Sequence, residues 1–190
     1  MQMLKDAILE RGKALNQDIL LVDSFLNHQV DVALMKAVGE TFAEHFANQG
    51  ITRVVTIESS GIAPASFTAL ALGLPLVIMK KQTSRILNGD LLQTTVRSFT
   101  KGTEYQLSVK HEFLNADDNI LLIDDFLASG EAAFGVITLA KQVGAKIGGV
   151  GIVIEKAFQS GHKRLEDAGI DVYSLARIAS MSADRIEFVD

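Results

Sequence analysis

Ile120 to Ala132 reads ILLIDDFLASGEA, and this run decides the fold class. Ile120 to Ile123 form a short, unbroken apolar stretch, the pattern of a strand buried on both faces. Asp124 and Asp125 follow at its carboxyl end, where open α/β sheets bind their ligands. Ala128, Ser129 and Gly130 are small, so backbone N–H groups there can approach an anion closely. The helix expected from Ala132 to Val143 points its positive end at the same place. A carboxylate pair beside an anion nest suits a sugar phosphate or nucleotide: the carboxylates accept hydrogen bonds from vicinal hydroxyls while the nest holds the phosphate. Taken alone, the segment reads equally well as a buried strand and a capped helix, or as an aspartate pair for magnesium. No G-x-x-x-x-G-K-[ST] precedes it, which disfavours a P-loop nucleotidase.

The flanking sequence repeats the strand–helix alternation. Val32, Met35, Val38, Phe42 and Phe46 step by three or four, predicting a helix with Asp31 as its cap and a stop near Gly50. Arg53 to Ile57 reads as a buried strand, Glu58 to Pro64 as a small-residue loop, Ala65 to Leu72 as a helix closed by Gly73, and Leu74 to Met79 as a second strand. Polar and basic residues dominate Lys80 to Lys101, with a turn at Asn88-Gly89 and two strands at Gln93 to Phe99 and Glu104 to Val109. After the central motif come a strand at Ile147 to Ile154, a polar helix at Gln159 to Ala168 and a last strand at Val172 to Ala176. This rhythm predicts an α/β fold with a mostly parallel central sheet flanked by helices. The first thirty residues fall outside the rhythm and are expected to form a cap within a single domain spanning 1–190.

Composition bounds the function. With 48% hydrophobic residues in 190, the chain can bury a sizeable core. A formal net charge of -5 argues against a nucleic-acid partner, which would need clustered Lys and Arg. There is no cysteine, so thiolate chemistry, disulfides and Cys-ligated zinc are excluded. No apolar run is long enough to cross a membrane, and Met1 to Arg11 carries charges instead of a signal core, so a soluble cytoplasmic protein is expected. His28, His45, His111 and His162 have no metal-ligand spacing and are expected to face solvent. Gly149-Val150-Gly151 lacks the third glycine of a dinucleotide loop, Ile154 standing there instead.

The motif ILLIDDFLASGEA resembles the 5-phosphoribosyl-1-diphosphate (PRPP) signature of type I phosphoribosyltransferases, in the variant of the branch that uses xanthine. The likeness extends over nearly the whole chain, including MQMLKDAILERGKAL, DSFLNHQVD and IESSGIAPA. Many members have Thr-Gly-x-Thr where Ser129-Gly130-Glu131-Ala132 stands here; the change removes a hydroxyl and puts Glu131 beside a phosphate site, where it must point away or meet a cation.

The resemblance implies the type I phosphoribosyltransferase fold, with a small amino-terminal and late-strand hood over the base site. It implies transfer of the phosphoribosyl group of PRPP to N9 of xanthine, with magnesium carried mainly by PRPP and pyrophosphate and no protein metal ligand. It implies a homodimer without nucleic-acid or membrane partners. Asp124 and Asp125 would contact the ribose hydroxyls, and Ala128, Ser129, Gly130, Glu131 and Ala132 the 5-phosphate. Glu58, Ser59, Ser60 and Gly61 would form the pyrophosphate loop, a loop that in the family often contains a strained peptide. Read from the residues alone, the two serines fit an ordinary turn with a serine cap.

Lys80, Lys81 and Arg85 open a segment read either as a solvated basic edge or as a lid over pyrophosphate, with Lys81 the candidate to reach a neighbouring subunit's site. Leu20, Asn27 and Lys156 would line the xanthine pocket, Lys156 donating to a 6-oxo group, with Phe126 or Phe158 stacking on the ring. Guanine or hypoxanthine as the base, and a non-catalytic PRPP-binding regulator, are the alternative readings.

Overall fold

The computed structural model describes residues 1–82, 90–98, 102–183 and 185–189. Arg85 and the turn expected at Asn88-Gly89 lie outside the described residues, as do Phe99 and Lys101.

The amino terminus is helical, which the sequence reading did not anticipate: α1 (Gln2–Arg11) buries Leu4, Ala7 and Ile8 on one face. A two-stranded ribbon follows, β1 (Lys13–Ala14) against β2 (Leu20–Leu21), and then a π-helical turn at Asp23–Asn27. Residue Asp31 accepts a hydrogen bond from the Leu34 N–H at 3.1 Å and caps α2 (Val32–Phe46), as its position predicts.

Beyond α2 the alternation takes over, with β3 (Arg53–Ile57), α3 (Ile62–Leu72), β4 (Leu76–Gln82), the antiparallel pair β5 (Leu91–Ser98) and β6 (Thr103–Lys110), and β7 (Asn119–Leu127). Then come α4 (Glu131–Val143), β8 (Lys146–Lys156), α5 (Gly161–Asp167), β9 (Val172–Ser182) and β10 (Arg185–Phe188). The eight-stranded sheet has the order β10-β9-β8-β7-β3-β4-β6-β5. Its five central strands are parallel, and antiparallel strands close both edges. From β3 the chain steps outward to β4, then returns to place β7 on the other side of β3 and proceeds to β8 and β9. The switch point therefore lies between β3 and β7, where a ligand crevice is expected.

Strand alternation divides the core into two layers. Leu121 and Ile123 of β7 pack on the side of α1, α2 and α3; Ile120 and Leu122 pack on the side of α4 and α5. Gly149 and Gly151, unsuited to a dinucleotide loop, have a packing role. A Cβ on Gly149 would stand 2.4 Å from the Phe46 ring, and one on Gly151 would stand 2.9 Å from the Phe42 ring. Both phenylalanines are fully buried against the sheet in the space these glycines leave.

Several elements run further than expected. The apolar stretch ending at Ile123 predicted a short strand, yet β7 continues through both aspartates because β8 pairs with it as far as Leu127↔Glu155. Strand β9 extends past Ala176 to Ser182, held by β10. Lys80 and Lys81, expected to open a loop, belong to β4, whose partner β6 pairs Lys80 with Ser108 and Lys81 with Leu107. The β5–β6 hairpin also lies over α4. Gly135 leaves the room, since a Cβ there would meet Val96 at 2.5 Å and Leu107 at 3.1 Å.

Candidate active site

Two adjoining clefts open at the carboxyl ends of the parallel strands. The larger, about 490 Å³, is lined by Asp124, Asp125 and Phe126, the loop and helix start Ala128 to Ala133, and Val96, Arg97, Thr103 and Tyr105 of the hairpin. The smaller, about 380 Å³, is lined by Ile57, Glu58, Ser59 and Ser60. Both share Lys81, Asp124 and Asp125, so the aspartate pair stands between an anion nest and the loop after β3.

Burial makes Asp124 unusual. Its Oδ1 accepts from the Asp125 N–H at 3.0 Å. Burial, reinforced by the Asp125 charge, pushes its carboxyl well above the usual carboxylate range, and the Lys81 cation pulls it back only in part. Tyr105 opposite is pushed up to about 12, first by its own burial and then by the Asp124 charge. Hydrogen-bond donors or positive charge brought near Asp124 would favour its ionised form.

The nest has the geometry its small residues predict. Gly130 is left-handed, with φ 87°, and begins α4 as its amino-terminal cap. Gly130 has no side chain to cap α4, so it leaves the first N–H groups of the helix, which lack helical partners, open to an anion. Glu131 meets a cation: its Oε1 lies 2.5 Å from Nη1 of Arg164 in α5. The same Nη1 donates to the Ser129 carbonyl at 2.5 Å.

The loop after β3 is held by Glu58, whose Oε1 accepts from the Lys81 N–H at 2.8 Å and whose Oε2 pairs with Lys80 Nζ at 3.1 Å. The Glu58–Ser59 peptide is cis. Neither serine caps α3; Gly61 occupies that position with no side-chain cap bond. A Cβ on Gly61 would lie 2.3 Å from Thr56 Oγ1 and 3.1 Å from Asp124 Oδ1, so a glycine is required for the loop to pass beside the aspartate. Lys81 is drawn towards the clefts of its own chain, with Nζ 5.5 Å from the centre of the Tyr105 ring.

The residues expected around a base are more dispersed. Lys156, half-buried at the end of β8, donates to the Asp18 carbonyl at 2.5 Å and lies 5.4 Å from the centre of the Phe126 ring. Burial lowers its pKa from the ordinary lysine value, against the opposing pull of Asp18 and Asp125. Phe126 lines the larger cleft, whereas Phe158 is exposed. Leu20 is buried in β2, two residues from the Asp18 carbonyl that Lys156 grips. Asn27 is exposed at the end of the π-helical turn.

His28, His45 and His111 are exposed as expected, and His162 is the exception. His162 is largely covered, with Nδ1 2.8 Å from Oε2 of the buried Glu155. Arg164, Tyr105 and the Val96–Arg97 edge were missed, because each comes from an element distant in sequence. The one signal pointing to Arg164 was Glu131, whose expected place beside a phosphate calls for a cation.

The family described as "Phosphoribosyl transferase domain" matches residues 16–178. Xanthine phosphoribosyltransferase 1 of Clostridium botulinum strain Hall is 58% identical over 189 residues, covering 100% of both chains. Xanthine phosphoribosyltransferase of Agathobacter rectalis is 52% identical over 190 residues, covering 100% of this chain and 99% of that one. Among solved structures, an adenine phosphoribosyltransferase (APRTase) from Giardia lamblia complexed with 9-deazaadenine superposes with TM-score 0.78 at 24% identity, covering 92% of this chain and 97% of that one, which speaks to the fold alone.

Proposed function

This chain belongs to the phosphoribosyl transferase domain family, and on that premise we propose that it transfers the 5-phosphoribosyl group of PRPP to N9 of xanthine, giving xanthosine 5'-monophosphate and pyrophosphate in purine salvage. The observation that carries this reading is the order of groups along the joined clefts: nest, aspartate pair, then the 58–61 loop. That order matches 5-phosphate, ribose hydroxyls and diphosphate along PRPP. The choice of xanthine rests on full-length identity of 52 to 58% to curated xanthine phosphoribosyltransferases.

In the reaction N9 forms a bond to the anomeric carbon as the bond from that carbon to the diphosphate oxygen breaks and its electron pair leaves with pyrophosphate. The proton of N9 goes to solvent, or is already absent if xanthine enters as its anion. Charge at the sugar resembles an oxocarbenium ion, as in other glycosidic displacements. No protein nucleophile is required; the residues work by positioning and electrostatics. Ala128 to Ala132 would hold the 5-phosphate, Asp124 and Asp125 the ribose hydroxyls, and Ser59, Ser60, Gly61 and Lys81 the diphosphate. Magnesium belongs with the substrate, since diphosphate oxygens are its natural ligands. The aspartates facing the smaller cleft suit a magnesium-bound diphosphate, whose negative charge is partly neutralised, better than the bare anion. Leu20, Asn27 and Lys156 would form the base pocket, with Phe126 beneath the ring. The protein would act as a cytoplasmic homodimer of single-domain subunits, with residues 1–30 contributing to the hood.

The test is an assay with PRPP, magnesium and each of xanthine, guanine, hypoxanthine and adenine. The expected result is the highest kcat/KM for xanthine. Preference for another base would reassign the pocket, and PRPP binding without turnover would make the protein a regulator. Within the same assay, Lys156→Ala should raise the xanthine KM by roughly tenfold or more, the worth of one hydrogen bond from a charged donor, with little change in the KM for PRPP. An unaltered xanthine KM would remove Lys156 from the pocket.

A further inference from the structure

The loop that lines the nest end of the larger cleft is gripped from behind. Helix α5 presents two donors to it: the Gly161 N–H bonds the Ala128 carbonyl at 2.9 Å, and Arg164 Nη1 bonds the Ser129 carbonyl at 2.5 Å. Among the described residues the Glu58–Ser59 peptide is the sole cis bond, so the peptides after Ala128 and Ser129 are trans. In a trans peptide the C=O and N–H point in opposite directions. Fixing both carbonyls on α5 therefore turns the N–H groups of Ser129 and Gly130 away from α5. The same guanidinium also holds the Glu131 carboxylate and lies 4.7 Å from the centre of the Phe134 ring, so its position is set from several sides. The helix itself is seated by His162 on the buried Glu155 at 2.8 Å and by close packing at Gly161, where a Cβ would stand 2.4 Å from the Ala128 oxygen.

Resting on the phosphoribosyl reading above, we propose that Arg164 is a positioning residue for the 5-phosphate: it aims the loop N–H groups at the phosphate and neutralises Glu131, which would otherwise repel that phosphate. Arg164 does both with one guanidinium and need not touch the substrate. This accounts for a glutamate beside a phosphate site.

The test is calorimetric titration of the full chain with two probes, ribose 5-phosphate and inorganic pyrophosphate with magnesium. Arg164→Ala should weaken ribose 5-phosphate binding about tenfold or more, the scale of one charged hydrogen bond, and leave pyrophosphate binding unchanged. Adding Glu131→Gln to Arg164→Ala should recover part of the loss, because it removes the stranded negative charge. A merely structural arginine would weaken both probes together and would gain nothing from Glu131→Gln. Should Arg164→Ala not fold, Arg164→Lys carries the same comparison: it keeps the charge against Glu131 but not both bonds, so the expected loss is smaller and still confined to ribose 5-phosphate. Equal ribose 5-phosphate affinity in the wild type and the variant overturns the role of Arg164 alone. A wild type that binds neither PRPP nor ribose 5-phosphate overturns the phosphoribosyl reading, and this inference with it.

Discussion

Asp125→Ala is expected to lower kcat/KM for PRPP at least ~100-fold, the worth of losing about 3 kcal/mol of charged hydrogen bonding to a ribose hydroxyl. Asp124→Asn should lose activity on the same scale, but its effect on stability should have the opposite sign. Asp124 is buried beside Asp125, and its pKa is raised in the folded protein. A carboxyl with a raised folded pKa binds its proton more tightly folded than unfolded. It therefore destabilises the fold progressively as pH rises above the ordinary value of 3.8 and through the raised one. Below that window the penalty is absent. The neutral amide has no such titration, so unliganded Asp124→Asn should melt higher than wild type at neutral pH, with the advantage shrinking as pH falls towards the ordinary carboxylate range. Thermal melts of both proteins across that range, read beside steady-state rates, check the pair of effects. A variant that is both inactive and less stable at neutral pH would mean that Asp124 supports the fold and not the ligand.

Phe42→Ala is the second large effect, and it acts on stability. Phe42 is fully buried, 6.3 Å edge-on from Tyr173, and fills the space above Gly151. Truncating such a ring removes roughly 3–5 kcal/mol through lost burial and an unfilled cavity, against a total stability of about 5–15 kcal/mol for a typical domain. The urea midpoint should fall accordingly with the slope unchanged. Because the clefts lie at the carboxyl ends of the strands, the folded fraction should keep its KM for PRPP. An unfolding free energy within ~0.5 kcal/mol of wild type would mean that the layer collapses around the gap, since that is the scale of an ordinary surface substitution.

These two sites also mark what could be read in advance. ILLIDDFLASGEA is legible because buried strand, carboxylates, small residues and helix start follow one another within a single segment, each needing no distant partner. The helix from Val32 and its Asp31 cap are legible for the same reason. What escaped was set by tertiary pairing. Strand β7 continues past Asp125 only because β8 lies beside it, since a carboxylate pair by itself reads as a strand end. Helix α1 carries charges among its few apolar residues, so its buried face at Leu4, Ala7 and Ile8 emerges only against the body of the protein. Gly149 and Gly151 declare themselves as seats once Phe46 and Phe42 are seen above them. The Arg164–Glu131 pair joins positions 33 residues apart, beyond the reach of local pattern.

The continuous pairing of β7 with β8 has a consequence for substrate length. Asp124 faces Ile152, Phe126 faces Ile154 and Leu127 faces Glu155, one residue short of Lys156. Under the proposed assignment, the groups for sugar and base sit on two neighbouring strands whose offset is a count of residues, at roughly 3.3 Å per step. The sheet then acts as a gauge. A nucleotide of the right span engages both ends at once, whereas a free base or a free sugar phosphate engages one end and gains only that share of the affinity. Lengthening either strand by two residues would preserve which face each side chain occupies yet move the two ends apart, and the nucleotide would be expected to lose its affinity advantage over either half alone.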